Sequence, residues 1–151
     1  MAQDGFGKRA RLLFASAVGT IIEWYDFFVF ATCAVLVFDK AFFPTADPAI
    51  GILLGLSTFA IGFIARPLGG IIFGVLGDRI GRKNALVVSL AMMGGSTFAM
   101  GLLPTYASVG VLAPALLVLL RIFQGIAVGG EATGALLIVA ESMPGKQRGF
   151  W

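Results

Sequence analysis

Four runs of apolar residues, each long enough to cross a bilayer, leave this chain little freedom of fold. The hydrocarbon core of a membrane is about 30 Å thick, and a helix needs about 20 apolar residues to cross it. Runs of that kind extend from about Leu12 to Phe38, Ala49 to Leu76, Asn84 to Leu103 and Leu112 to Ser142. They are joined by Asp39 to Pro48, Gly77 to Lys83 and Pro104 to Gly110. Within hydrocarbon every backbone amide must be satisfied inside its own segment, so the spans are helices. Soluble domains carry roughly 25% charged residues, whereas this 151-residue chain is 13% charged and 58% hydrophobic. The expectation is an all-α membrane protein with four transmembrane helices.

The charges outside the spans set the orientation. Lys8, Arg9 and Arg11 precede the first span, Arg79, Arg82 and Lys83 follow the second, and Lys146 and Arg148 follow the fourth. The opposite side receives Lys40 alone. By the positive-inside rule both termini and the second loop are expected in the cytoplasm. The net charge of +3 is therefore a topology signal, with basic residues at span ends rather than on one nucleic-acid-binding face. Lys8 to Arg11 followed by Ala15-Ser16-Ala17 has the outline of a signal peptide. Only three apolar residues separate the two parts, against the about 7–15 of a signal core, so this is the start of a first transmembrane helix. Cys33 is the lone cysteine and lies in an apolar run, where a thiol acts as a small hydrophobe. The chain has no histidine, so proton chemistry falls to carboxylates. No residue pattern calls for a cofactor or metal.

Five ionisable residues interrupt the spans: Glu23, Asp26, Arg66, Arg121 and Glu131. At a helix centre each carries an insertion cost of about 2.5–3.5 kcal/mol, which confines such residues to a bundle interior or watery cavity and drives them to pair. Glu23 and Asp26 are three apart and share a helix face with Gly19, Thr20 and Phe30 near the same stripe. Arg66 shares a stripe with Gly62 and Gly70, and Arg121 lies one turn before Gln124 and Gly125, with Glu131 nearly in line with Gln124. At about 1.5 Å of rise per residue, Asp26 is within reach of Arg121, and Arg66 within reach of Glu23 or Glu131. Two arginines face three carboxylates, so one acid lacks a permanent cation and is the candidate to bind and release a proton. Asp26 and Glu131 are the favoured choices. Glycines four apart (Gly51 and Gly55, Gly70 and Gly74, Gly125 and Gly129, Gly130 and Gly134) are built for close helix approach.

The stretch Gly74-Val75-Leu76-Gly77-Asp78-Arg79-Ile80-Gly81-Arg82-Lys83 is a compact, glycine-rich basic turn between two spans. Topology accounts for its basic residues but not for Asp78 or for glycines at 74, 77 and 81. It resembles the loop between the second and third helices of the major facilitator superfamily. Gly19 to Phe28 (Gly-Thr-Ile-Ile-Glu-Trp-Tyr-Asp-Phe-Phe) and Ala65-Arg66-Pro67-Leu68-Gly69-Gly70 are similar to signatures of the metabolite–proton symporter group within it. Arg121-Ile122-Phe123-Gln124-Gly125, Gly129-Gly130-Glu131, and Glu141-Ser142-Met143-Pro144 with Arg148-Gly149 follow in register.

The resemblance implies alternating access between two six-helix halves, with this chain as the first four helices of the N-terminal bundle and the C-terminal half missing as partner. It implies symport of a small metabolite, an organic acid or zwitterionic osmolyte, with protons across the plasma (inner) membrane. Asp26, Glu23, Glu131 and Arg121 would couple protons, and Arg66, Arg121, Tyr25 and Gln124 would meet substrate. Gly74, Asp78, Arg79, Gly81, Arg82, Lys83, Glu141 and Arg148 would gate. Among these, Asp78, Arg82 and Glu141 would form a cytoplasmic charge network that stabilises the outward-facing state. Two other classes fit the residues less well. One is a genuine four-helix protein, either a dimeric proton-coupled exporter or an inactive truncation product. The other is an intramembrane enzyme using Glu23 and Asp26, for which no nucleophile, metal set or phosphate cradle is present.

Overall fold

The computed structural model describes residues 3–44 and 47–142, with side chains described for 14, 18–44 and 47–134. The elements are α1 (Gln3–Leu36), α2 (Phe38–Ala41), α3 (Pro48–Ile80), α4 (Arg82–Gly101), α5 (Tyr106–Val109) and α6 (Leu112–Ser142). No strand occurs among the described residues. Stretches of α1, α3, α4 and α6 are long and apolar enough to cross a membrane, and α2 and α5 are single turns within the connections. The molecule is an all-α membrane bundle.

Local chemistry explains the ends. The Asp47 side chain accepts the Ala49 N–H at 2.9 Å, with Pro48 at the first helical position, so α3 starts on a capped, pre-set turn. Between α3 and α4 the expected loop at Gly77 to Lys83 is not a loop. Asp78 and Arg79 form the last turn of α3, Arg82 and Lys83 the first turn of α4, and Gly81 alone joins them. Its φ of 90° and ψ of 141° lie in a region that L side chains avoid, which is why a glycine stands there. Two buried hydroxyls on the spans return their protons to the preceding turn, Thr58 to the Gly55 carbonyl at 2.7 Å and Ser89 to that of Leu86 at 2.9 Å, which satisfies them within their own helices.

The most extensive contact is between α3 and α6. The buried face of α3 is Gly51, Gly55, Thr58, Gly62, Ala65, Gly69, Phe73 and Gly77, small residues at helical spacing along nearly its whole length. Gly62 meets Gly125, Arg66 meets Gly129, and Gly69 meets Ile126, each with a backbone carbonyl where a Cβ would have to be. The two helices therefore run parallel, backbone against backbone, and gain their attraction from dispersion rather than from expulsion of water. α4 runs antiparallel to α6, with Leu86 beside Gly134 and Thr97 beside Gln124. α1 crosses this trio and touches α3 where a Cβ on Gly55 would stand 2.7 Å from the Ala34 carbonyl. There Phe30, Ala34, Phe38, Phe42, Ala113 and Leu117 form a closed apolar cluster.

These contacts separate glycines that packing requires from those it does not. Gly69→Ala forces α3 off the Ile126 carbonyl and is expected to lower stability by about 1–3 kcal/mol. Gly74→Ala, whose Cβ would meet nothing within 4 Å among the described residues, is expected to be neutral. Thermal unfolding of the detergent-solubilised chain measures both, and equal melting temperatures would sink the seam as described.

Candidate functional site

The intramembrane charges assemble where α1, α3, α4 and α6 meet. Arg66 Nη1 of α3 lies 3.2 Å from Glu23 Oε1 of α1, and its guanidinium carbon is 4.4 Å from the Phe63 ring centre. Of the two partners open to Arg66 from sequence, Glu23 is the one it meets. A cleft lined by Glu23, Asp26, Phe27, Gly62, Phe63, Arg66, Arg121, Gln124, Gly125 and Val128 runs between these groups.

Arg121 and Asp26 form the second pair, at 3.8 Å, more deeply placed than the first. Gln124 joins them: its side-chain oxygen accepts from Arg121 and its amide donates to Asp26 Oδ2. The same amide donates to Thr97 Oγ1 at 2.9 Å, and the Thr97 hydroxyl donates to Asp26 Oδ1 at 2.9 Å. Asp26 thus accepts hydrogen bonds from two helices besides its ion pair. Arg121 is 5% exposed, its guanidinium carbon 3.9 Å from the Phe30 ring centre and 5.1 Å from that of Phe59. Ring faces are a favourable wall for a desolvated cation. Gly62 makes room for it, since a Cβ there would stand 2.7 Å from Arg121 Nε.

Glu131 is treated differently. It is 5% exposed, its Oε2 has no hydrogen-bond partner, and among the described residues it makes no ion pair. Its other oxygen presses on the α1 backbone at Gly19, where any Cβ would collide with it. Of the three acids, two are matched to an arginine and this one is not.

The remaining expected site residues lie elsewhere. Tyr25 is 70% exposed and borders none of the clefts described here. Asp78 and Arg82 pair across the Gly81 joint at 3.5 Å, with Arg79 and Lys83 exposed beside them. Gly74 borders a second cleft with Phe73, Gly77, Arg82, Gly130 and Thr133. The Glu141 side chain and Arg148 fall outside the described residues.

The model of the family described as sugar (and other) transporter matches residues 12–151. The chain belongs to that family. Among its curated relatives are the inner membrane metabolite transport protein YhjE of Escherichia coli K12, 50% identical over 95% of this chain and 33% of the relative. The shikimate transporter of the same strain is 47% identical over 95% and 33%, and the proline/betaine transporter of Salmonella typhimurium LT2 is 45% identical over 95% and 29%. The chain thus spans about a third of the length of these major facilitator metabolite transporters. No solved structure matches. The family is one of transporters, not of enzymes, and Glu23 and Asp26 each face an arginine rather than one another.

Within this family framework, residues that the sequence reading did not single out complete the site. Thr97 is the hydroxyl between Asp26 and Gln124, and Phe59 and Phe63 wall the two arginines. Thr97 follows Gly94-Gly95-Ser96 in a largely apolar span, a polar interruption that was available as a signal. The phenylalanines had none, because a ring in an apolar run reads as core or lipid face.

The two kinds of acid respond oppositely to neutralisation. Asp26→Asn leaves Arg121 without a counter-charge and is expected to lower stability by roughly 1.5–3 kcal/mol. Glu131→Gln removes an unpaired buried charge and is expected to leave stability unchanged or raise it. Detergent melting curves of the two variants check this. A loss in Glu131→Gln as large as in Asp26→Asn would show that Glu131 has a cation partner after all.

Proposed function

We propose that residues 1–151 are the partial N-terminal domain of a proton-coupled symporter for a small metabolite, an organic acid or zwitterionic osmolyte, in the inner membrane with both termini cytoplasmic. The observation that carries the reading is the unequal pairing of the three intramembrane acids. Glu23 and Asp26 are held by Arg66 and Arg121, whereas Glu131 is buried and, among the described residues, has no cation beside it. An unpaired buried carboxylate is costly as an anion, and taking up a proton removes that cost, so Glu131 is the proton carrier of this proposal. The names of the relatives, shikimate and proline/betaine transporters among them, support the substrate range.

The proposed roles follow from position. Arg66 and Arg121 offer a substrate carboxylate the bidentate fork that suits it, with Gln124 and Thr97 able to re-pair when Asp26 releases its arginine. Because Glu131 contacts Gly19 of α1, its protonation state bears on how α1 seats against α6, which links proton binding to the helix that carries Glu23 and Asp26. Asp78, Arg82 and the Gly81 joint form the gating end, facing the missing C-terminal half. Substrate exchange then proceeds by alternating access, each ion pair opening only as a new partner arrives.

In vesicles containing the complete transporter, an inward proton gradient is expected to accelerate uptake. Glu131→Gln is expected to remove that acceleration while substrate binding persists. Glu23→Gln and Asp26→Asn are expected to slow uptake with and without the gradient. Retention of the gradient response in Glu131→Gln would overturn its role. Orientation has its own check in a Cys33→Ala background: Asp78→Cys is expected to react with a membrane-impermeant maleimide only from the cytoplasmic side.

A further inference from the structure

We propose that Thr97 is a positioning residue: its hydroxyl holds Asp26 as an anion when Arg121 turns away to a substrate. The inference deepens the exchange of partners proposed above and rests on that reading for its part in transport.

Hydrogen-bond chemistry commits every member of this network but one. Arg121 can only donate, so the Gln124 side-chain oxygen faces it and the Gln124 amide faces Asp26 and Thr97. The Thr97 oxygen is thereby taken as an acceptor from Gln124. Its proton is not. Two acceptors stand within its reach, Asp26 Oδ1 at 2.9 Å and the Met93 carbonyl, one turn back on α4, at 3.1 Å. A hydroxyl has one proton to give, so its position follows whichever acceptor is the more negative.

Place in the fold separates Thr97 from the other partners of Asp26. Arg121 and Gln124 both stand on α6 and both bear on Asp26 Oδ2, whereas Thr97 stands on α4 and bears on Oδ1. A shift of α6 against α1 disturbs the first two together and leaves the third. With Arg121 in place, Asp26 is already served by a cation, and the Met93 carbonyl competes for the Thr97 proton. With Arg121 engaged elsewhere, the carboxylate carries its charge unshared and draws that proton fully. A hydrogen bond to a charged group is worth more than one between neutral groups, so Thr97 contributes most in the state that Arg121 has left. Thr97 carries no charge, and the basic residues of α4, Arg82 and Lys83, lie in its first turn. The hydroxyl therefore eases the departure of Arg121 without replacing it as counter-ion, and the pair can form again.

Melting curves of the complete detergent-solubilised transporter test this. They compare the effect of Thr97→Val, which keeps the shape and removes the hydroxyl, in three backgrounds. In Arg121→Gln the substitution is expected to lower the melting temperature more than in the wild type, because Asp26 there depends on Thr97. In Asp26→Asn it is expected to lower it less, because no anion is left to hold. Thr97→Ser, which keeps the hydroxyl, is expected to avoid most of the loss seen in Arg121→Gln. A side chain that only fills space costs the same in all three backgrounds. Equal losses across them, or a Thr97→Ser variant no better than Thr97→Val, would overturn the assignment; if one background does not fold, the other decides. Transport is scored separately, by counterflow of labelled shikimate or glycine betaine in vesicles without a proton gradient. Thr97→Val is expected to raise KM about three- to tenfold, with Thr97→Ser near the wild type. If the melting pattern holds and KM does not move, Thr97 holds Asp26 as described and the exchange of Arg121 onto substrate is the reading that falls.

Discussion

The carbonyl oxygens of Gly62, Arg66 and Ile126 occupy the places where side chains on Gly125, Gly129 and Gly69 would otherwise be. In a bilayer there is little hydrophobic gain from bringing two apolar helices together, because lipid tails solvate them equally well. What holds α3 to α6 is the close approach that glycine permits. The same approach fixes the two arginines. Arg66 and Arg121 project from adjacent parallel helices, so their charges face a common third helix, α1, at two depths. Had α3 and α6 been separated by ordinary side chains, Gly62 could not seat against Arg121, and the Phe59 and Phe63 rings of α3 would not wall the cations of both helices.

Much of this was legible from the residues. The cost of a charge in hydrocarbon singles out Glu23, Asp26, Arg66, Arg121 and Glu131 without any structure, and helix rise alone made Asp26 with Arg121 a feasible pair. The excess of acids over arginines also followed from counting. Its location did not, because depth permitted Arg66 to meet either Glu23 or Glu131. The choice depends on the rotation of α1 about its axis, which is set by contacts such as Ala34 on Gly55 that no single helix encodes. The tight joint at Gly81 was missed for a related reason. Six polar and glycine residues with only Ile80 among them read as a loop, but helix dihedrals accommodate all of them except Gly81 itself.

The seam also explains why the glycines of this chain are not equivalent. Gly55, Gly62, Gly69, Gly125 and Gly129 face backbone or a buried cation at distances that admit no Cβ, whereas Gly74, Gly94, Gly95 and Gly101 meet nothing within 4 Å among the described residues. Spacing cannot make this distinction: Gly70 and Gly74 repeat four apart just as Gly125 and Gly129 do. Both members of the second pair press on a partner's backbone, whereas in the first pair Gly70 stands beside Thr133 and Gly74 meets nothing among the described residues.

The contacts along α1 change character from one end to the other. Near Ala34 the helix is held by steric fit, with the Gly55 approach and the apolar cluster of Phe30, Phe38 and Phe42. Toward Gly19 it is held by Asp26 to Arg121, then Glu23 to Arg66, then the Glu131 carboxylate against its backbone. Steric seams are lost or kept, but ion pairs can exchange one partner for another of the same charge at little net cost. Coupling between two ligands requires an element with more than one arrangement of comparable energy. The charged half of α1 meets that condition and its Ala34 end does not. A change of partner at Arg66 or Arg121 would therefore bear on the charged half of α1, whereas its Ala34 end is held by packing.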